Sequence, residues 1–299
     1  MKILIIGSKG FIGSHILNYF QKLGNEVYAC DVVVDYTSEN YFQIDASNSD
    51  YHHIFQKIAF DVCVNCSGAA SVPQSLENPF RDFTLNTVNV VKILDAIREF
   101  RPDCKFINLS SAAVYGNPKE LPIKESSQCA PISPYGNHKL FAEVLCEEYT
   151  TLFGIKTCSA RIFSAYGNGL RKQLIWDLYQ KFSKDDDTVN LFGTGEETRD
   201  FIHIDDICTA INCIIERAEF RAEKINIANG KEIKIKSIAE TFSNLLTSDK
   251  TVVFSNQVKE GDPKNWKADI QVLQNLGYQK TIDLENGLKK FIIWARELK

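Results

Sequence analysis
The sequence predicts a doubly wound α/β fold, a parallel sheet with helices on both faces, carrying a smaller α/β lobe that would bind a substrate. Two observations predict it. Short apolar runs alternate with longer amphipathic stretches through most of the chain, the pattern of strand–helix–strand units. The first apolar run also ends in a glycine-spaced turn that opens a helix. Composition agrees: a chain of 299 residues can bury about three quarters of its unfolded surface, and 44% hydrophobic with 24% charged residues is an ordinary globular balance. Collagen, coiled coil and disordered tail are excluded. With 34 Lys plus Arg against 38 Asp plus Glu and no basic cluster, a protein that tracks a nucleic-acid backbone is not expected.

In chain order, strands are expected at 2–6, 26–31, 41–45, 61–65, 104–109 and 155–162. Helices are expected over 11–23, 48–58, 79–100 and 134–153, from apolar spacing and from Pro or Asn near their starts. Right-handed crossovers place those helices on both faces of the sheet. After residue 163 the pattern loosens into a helix over 170–183, the acidic turn Asp185-Asp186-Asp187 and a strand near 188–192. The triplet reads as a helix cap or a solvated loop without chemistry. Residues 1–163, with 204–230 returning to them, would make the sheet unit, and 164–203 with 231–299 the lobe.

The nine cysteines, an odd number, sit in apolar stretches such as those of Cys63, Cys104 and Cys158, which suits reduced thiols in the cytoplasm. Cys63 and Cys66 have the spacing of a metal knuckle but fall in a strand, where residues three apart face opposite ways, so no metal site is expected. The opening run 1–6 stops at Gly7, too short for a signal-peptide core or a membrane span.

Gly7-Ser8-Lys9-Gly10-Phe11-Ile12-Gly13 occupies the turn between the first strand and the first helix. There Gly7 permits the tight turn, Gly10 lets main-chain N–H groups approach a pyrophosphate, and Gly13 lets the helix pack on the sheet. Asp31 closes the second strand, where a carboxylate accepts from both ribose hydroxyls and repels a 2′-phosphate, so the expected cofactor is NAD rather than NADP. Asp45, after the third strand, reads equally as an adenine contact or a helix cap.

Tyr135 and Lys139 lie one turn apart at the start of the helix that follows Pro134. An ammonium beside a phenol is expected to lower the phenol's pKa and so make a base for neutral pH. With 11 tyrosines one such pair is expected by chance, and the neighbours give it weight. Ser111 stands at the carboxyl end of a parallel strand, where open α/β sheets bind ligands, and can share a proton with Tyr135. Ser110 beside it is expected to hydrogen-bond within its own turn.

Taken together, these residues resemble the extended short-chain dehydrogenase/reductase family and its nucleotide-sugar epimerases. The resemblance rests on the turn at 7–13, Asp31, the stretch from Ala69 to Asn86, Ser111-Ala112-Ala113-Val114-Tyr115-Gly116, Tyr135 with Lys139, Arg161 to Gly167, Thr198 to His203 and Gly261-Asp262-Pro263. It implies a Rossmann-like NAD-binding fold with Tyr135 as base, Lys139 as its electrostatic partner and nicotinamide-ribose contact, and Ser111 as the hydroxyl bridging base and sugar. It implies cofactor contacts at Gly7, Gly10, Phe11, Ile12, Gly13, Asp31, Asp45, Ala69 and Asn86. Substrate contacts are implied at Ser71, Ser164, Arg199, Lys259 and Asp262, with Arg199 gripping a pyrophosphate. Judged without the family, Arg199 reads as a surface ion pair with Asp200 or Glu197.

Departures from the family pattern bear on the substrate. Ala112 and Ala113 replace the two acids that sugar dehydratases carry, so dehydration is set aside. Ser164 stands where epimerases have an asparagine, and Lys259-Glu260 replaces their Arg-Pro. Trp176, Trp266 and Phe192 are candidates to stack a nucleotide base, with core packing the default. His138 and His203 read as packing or loop residues. The reading is an NAD-dependent nucleotide-sugar 4-epimerase, with a nucleotide-diphosphate sugar as substrate and a homodimer through the helices at 79–100 and 134–153. The alternative is an NAD(P)H-dependent 4-ketoreductase of a nucleotide-linked 4-keto-6-deoxy sugar. A dinucleotide-sensing regulator would have little need of the Tyr135/Lys139 pair.

Overall fold
The computed structural model describes residues 1–46, 48–257, 261 and 263–298. Its strands are β1 (Lys2–Ile6), β2 (Glu26–Asp31), β3 (Tyr41–Gln43), β4 (Val62–Asn65), β5 (Lys105–Ser111), β6 (Thr157–Ile162), β7 (Ser164–Tyr166), β8 (Thr188–Leu191), β9 (Thr198–Arg199), β10 (Phe201–His203), β11 (Arg221–Ile227), β12 (Ile233–Lys234) and β13 (Thr251–Phe254). The α-helices are α1 (Phe11–Lys22), α2 (His52–Lys57), α3 (Val72–Glu77), α4 (Pro79–Phe83), α5 (Asn89–Phe100), α6 (Pro134–Phe153), α7 (Gln173–Phe182), α8 (Ile204–Arg217), α9 (Ile235–Leu246), α10 (Gln271–Asn275) and α11 (Leu284–Arg296).

Seven strands form one sheet in the order β11-β6-β5-β4-β1-β2-β3. All its pairings are parallel. Such a sheet must bury both faces, and its strands do so by alternation. Ile3, Ile5, Val62, Val64 and Ile107 pack on one side with Ile16 of α1 and Ile207 and Ile211 of α8. Leu4, Ile6, Cys63 and Phe106 pack on the other with Phe55 of α2, Ile93 of α5 and Ala142 of α6. The chain order reverses between β1 and β4, and at such a switch point the connections leave in opposite directions and open a crevice at the carboxyl ends of the strands.

A second apolar cluster joins Leu178 and Phe182 of α7, Phe242 of α9 and Phe291 of α11 under the pair β8–β13. The two clusters are tied by the segment after Pro263: Trp266 donates from Nε1 to the Gly116 carbonyl at 3.1 Å, and Ile123 donates its N–H to the Lys267 carbonyl at 2.7 Å. Among the described residues no helix is long and apolar enough to cross a membrane.

Several expected elements change. The third strand ends at Gln43, not at residue 45, because it is the sheet edge with β2 as its sole neighbour. The helix expected over 48–58 is the six-residue α2, started by Asp50 accepting from the His52 N–H at 3.0 Å. The stretch 79–100 is α4 and α5 joined by a turn of π-helix, Thr84–Val88. Helix α3, short and begun by Pro73 behind Ser71, has no apolar period to announce it.

Candidate active site
Adjacent strands in the order β2-β1-β4-β5 deliver Asp31, Gly7, Gly68 and Ser111 along one edge of the sheet. Three interstrand steps, roughly 14 Å, therefore separate Asp31 from Ser111. At the middle of that edge Gly7 turns the chain with φ of +79°, and its N–H donates to the Cys30 carbonyl at 2.8 Å. A Cβ on Gly13 would stand 2.1 Å from the Gly7 carbonyl oxygen, so α1 is seated directly on the turn. The helix begins behind Gly10, with no side-chain cap and no acid in its first turn. Its first-turn N–H groups, those of Phe11, Ile12 and Gly13, have no intrahelical acceptor, which is the geometry that takes a phosphate.

At one end of the edge the Asp31 carboxylate is held by the N–H groups of Lys9 and Val32, at 2.8 and 2.7 Å. Beyond Gly7, Asn86 of the π turn leaves both its amide atoms without a partner among the described residues although it is 1% exposed. An unmet buried amide costs about 1–3 kcal/mol, and π turns recur where a site demands one. Asn86 lies against Gly68, where a Cβ would come within 2.4 Å of its Oδ1. A phosphate cradle, a ribose-facing carboxylate and an unsatisfied amide suit a dinucleotide; Ala69 follows Gly68 on the same edge. Asp45 instead accepts from the Asn48 N–H at 2.9 Å and so closes the turn before α2.

At the other end, Ser133 caps α6 by accepting from the Gly136 N–H at 3.1 Å, and Pro134 fills the first helical position. A Cβ on Gly136 would fall 2.6 Å from the Ala113 carbonyl, so the absence of one lets the helix press against the loop after β5. That approach brings Tyr135 beside Ser111, whose Oγ accepts from the Ala113 N–H at 3.2 Å. Lys139, 6% exposed, donates from Nζ to the Leu109 carbonyl at 2.9 Å and lies 6.0 Å from the centre of the Tyr135 ring.

The electrostatics correct one expectation. Burial pushes the Tyr135 phenol above its ordinary value, the Ser111 hydrogen bond draws it back, and the charge of Asp82 adds to the rise. Burial also brings Lys139 down to about 8, against the opposing pull of Asp82, Cys66 and Glu143. Burial is thus the largest influence on both groups, raising the phenol and lowering the ammonium.

The two serines differ from expectation as well. Ser110 leaves its own turn and donates to Glu143 Oε1 at 2.6 Å, while Ser111 makes the turn bond. Glu143 is gripped bidentately by Arg161 at 2.9 and 2.7 Å, and Arg161 also donates to the Tyr115 hydroxyl at 2.7 Å. This buried network ties the ends of β5 and β6 to α6 one turn below Lys139. Asp82, 3% exposed, meets His138 Nδ1 at 2.6 Å. Sequence reasoning missed Gly68 and Asp82. The run Ser67-Gly68-Ala69 after a strand signals the first, and nothing local signals the second.

On the substrate side, Ser71 caps α3 by accepting from the Gln74 N–H at 3.4 Å, and Ser164 stands on β7 in register with Phe201 of β10. Arg199 donates from Nη1 to the carbonyls of Thr198 and Lys264 at 2.8 and 3.3 Å and lies 5.6 Å over the Trp266 ring. Asp200 is turned inward, accepting from the N–H groups of Asn229 and Ala268, and Glu197 accepts from those of Thr194 and Gly195. Lys259 and Asp262 lie outside the described residues. Gly261 sits over Val72 and Ser133, beside the start of α6. Trp176 packs among Tyr179, Phe291 and Trp294, and Phe192 is exposed, which leaves Trp266 as the aromatic candidate beside Arg199. His203 caps α8 by accepting from the Asp205 N–H at 3.2 Å.

The switch-point cradle and the Ser/Tyr/Lys set define a short-chain dehydrogenase/reductase of the extended type. The chain belongs to the NAD dependent epimerase/dehydratase family, whose model matches residues 3–228. It is 28% identical over 313 residues to the UDP-glucuronate 4-epimerase of Thermodesulfobacterium geofontis, covering 98% of this chain and 96% of that protein. Among solved structures it is similar to a tyrosine-to-phenylalanine mutant of UDP-glucuronic acid 4-epimerase from Bacillus cereus in complex with UDP-4-deoxy-4-fluoro-glucuronic acid and NAD, at 28% identity, full coverage of both chains and a TM-score of 0.90. It is also similar to UDP-N-acetylglucosamine 4-epimerase from Methanobrevibacter ruminantium in complex with UDP-N-acetylmuramic acid, at 26% identity, coverage of 100% and 99%, and a TM-score of 0.89.

Proposed function
We propose that this protein is a UDP-sugar 4-epimerase that keeps NAD bound through its catalytic cycle. The observation that carries the reading is the sheet edge itself: a carboxylate placed for a ribose at one end, a glycine turn with free N–H groups in the middle, and Tyr135 beside Ser111 and Lys139 at the other. UDP-sugar 4-epimerases are among the relatives similar over the whole chain, which supports the same conclusion.

Gly7, Gly10, Phe11, Ile12 and Gly13 would hold the pyrophosphate, Asp31 the adenosine ribose, and Ala69, Asn86 and Lys139 the nicotinamide half. When bound, NAD supplies a reversible hydride acceptor. Tyr135 Oη, after releasing its own proton to solvent, would take the proton from the sugar 4-hydroxyl as a phenolate and later return it, with Ser111 passing the hydrogen bond between phenol and sugar. Lys139 stabilises the phenolate while it exists, a state that burial otherwise penalises. Arg199 would fasten the diphosphate and Asp262 the nucleotide ribose, so that the 4-keto sugar can turn over and present its other face; Ser71, Ser164 and Lys259 would border the sugar. Firm binding at the nucleotide with a permissive sugar pocket is what such a turn requires.

Purified protein given UDP-glucose, UDP-N-acetylglucosamine, UDP-glucuronic acid or their galacto isomers, with no added dinucleotide, is expected to interconvert at least one pair, followed by proton NMR. Interconversion of none, or stoichiometric consumption of NADH or NADPH with a nucleotide-linked 4-keto sugar, overturns the reading, the latter in favour of a reductase.

We propose a homodimer as well. Phe80 of α4 and Phe141, Val144, Leu152 and Phe153 of α6 are exposed large apolar side chains on the helices expected to pair. Light scattering should give twice the chain mass, and Val144→Glu should bring it to the monomer's.

A further inference from the structure
Asp31 does not account for all the charge at the end of β2. The glycine turn also carries Lys9, whose N–H is bound to Asp31 and whose ammonium reaches Asp35 Oδ2 at 2.5 Å. That ammonium stands 5.2 Å over the Tyr41 ring, next to the edge strand β3. Asp35 is itself fastened: its Oδ1 accepts from the Thr37 N–H and hydroxyl, each at 2.8 Å, and its Oδ2 from the Ser38 hydroxyl at 2.8 Å. Its side chain is 8% exposed, against 39% for that of Lys9. These contacts hold the Asp35 carboxyl far below the usual carboxylate range, the Lys9 contact first among them. A cavity of about 450 Å³ opens beside them, bordered by Ser8, Lys9, Ser38, Glu39 and Asn40.

A lysine so close to a ribose-facing carboxylate is the cation that a phosphate on that ribose would seek. Here its charge already has a partner. We propose that Asp35 is a second determinant of dinucleotide choice: by pairing with Lys9 it denies a 2′-phosphorylated dinucleotide its counterion and leaves the unphosphorylated ribose to Asp31. The proposal rests on the NAD-dependent reading above. A 2′-phosphate brings a charge of about −1.5 to −2. It would meet the carboxylates of Asp31, Asp35 and Glu39 with Lys9, already paired, as the neighbouring cation, and like charges so placed repel. The pair itself is partly exposed, so its removal should matter little to folding.

Asp35→Asn keeps an acceptor oxygen for Thr37 and Ser38 while releasing Lys9, and Asp35→Ala is a second variant that removes the acceptor too. Displacement of the retained NAD by added NADH or NADPH, followed as NAD released into an ultrafiltrate, should show NADH preferred by the wild type. NADPH should bind both variants about tenfold more tightly, an effect of 1.4 kcal/mol, with NADH affinity nearly unchanged. Adding Lys9→Ala to Asp35→Asn should abolish that gain, while Lys9→Ala alone should leave the preference as it was. An unchanged NADH-to-NADPH ratio in both variants, or a gain that survives loss of Lys9, overturns the proposal while leaving the cofactor reading intact. Wild-type protein that binds neither dinucleotide refutes the cofactor reading instead.

Discussion

Tyr135→Phe is expected to lower kcat about a thousandfold, within the range by which a positioned acid–base group accelerates proton transfer. KM and melting temperature should stay near the wild-type values. Phenylalanine keeps the buried ring and removes only the hydroxyl beside Ser111, so the variant gives up little packing energy. The loss should therefore appear in the chemical step rather than in binding. NMR-monitored interconversion of the UDP-sugar the wild type accepts is the measurement. A variant retaining more than about a tenth of wild-type turnover would assign the proton transfer to another group, since even modest general-base contributions are about a hundredfold.

Gly13→Val is expected to abolish retention of the dinucleotide. A Cβ there stands 2.1 Å from the Gly7 oxygen, 2.9 Å from the Gly7 carbonyl carbon and 3.1 Å from Ser8 Cα. All three are main-chain atoms of the turn, which no rotamer change can move aside. Relief must come from lifting α1 off the turn, which withdraws the N–H groups meant for the pyrophosphate and should cost about 1–3 kcal/mol of stability. Denaturing the purified variant and assaying the supernatant for NAD should find none, where the wild type releases it. Gly24→Ala is the control: Gly24 has φ of +78° but nothing within 4 Å of the added carbon, so it should lose some stability and keep the cofactor. A Gly13→Val protein that still releases NAD would show that the pyrophosphate lies elsewhere.

The strands and the glycine turn were legible in the chain because their signals are local. Lys2–Ile6 and Glu26–Asp31 fall at the residues their apolar runs mark, since a central parallel strand is buried on both faces and must be apolar throughout. Tyr135 and Lys139 could be paired from spacing, as a helix repeats every turn and Pro134 marks where it starts. Ser110 went otherwise than expected because a short polar side chain takes whichever donor or acceptor packing brings to it, here Glu143.

Periodicity and turn chemistry thus specify which segments become strands and helices, and with them the sheet edge on which Asp31, Gly7 and Ser111 must emerge. They cannot specify the environment at that edge. Tyr135 is pushed up because α6 buries it, and Asp82, a carboxylate far away in sequence, adds to the rise. The empty-handed amide of Asn86, the Arg161–Glu143 lock and the clasp of Lys9 by Asp35 arise the same way. Desolvation and charge depend on neighbours brought together by packing, and those neighbours exist only once the chain has folded.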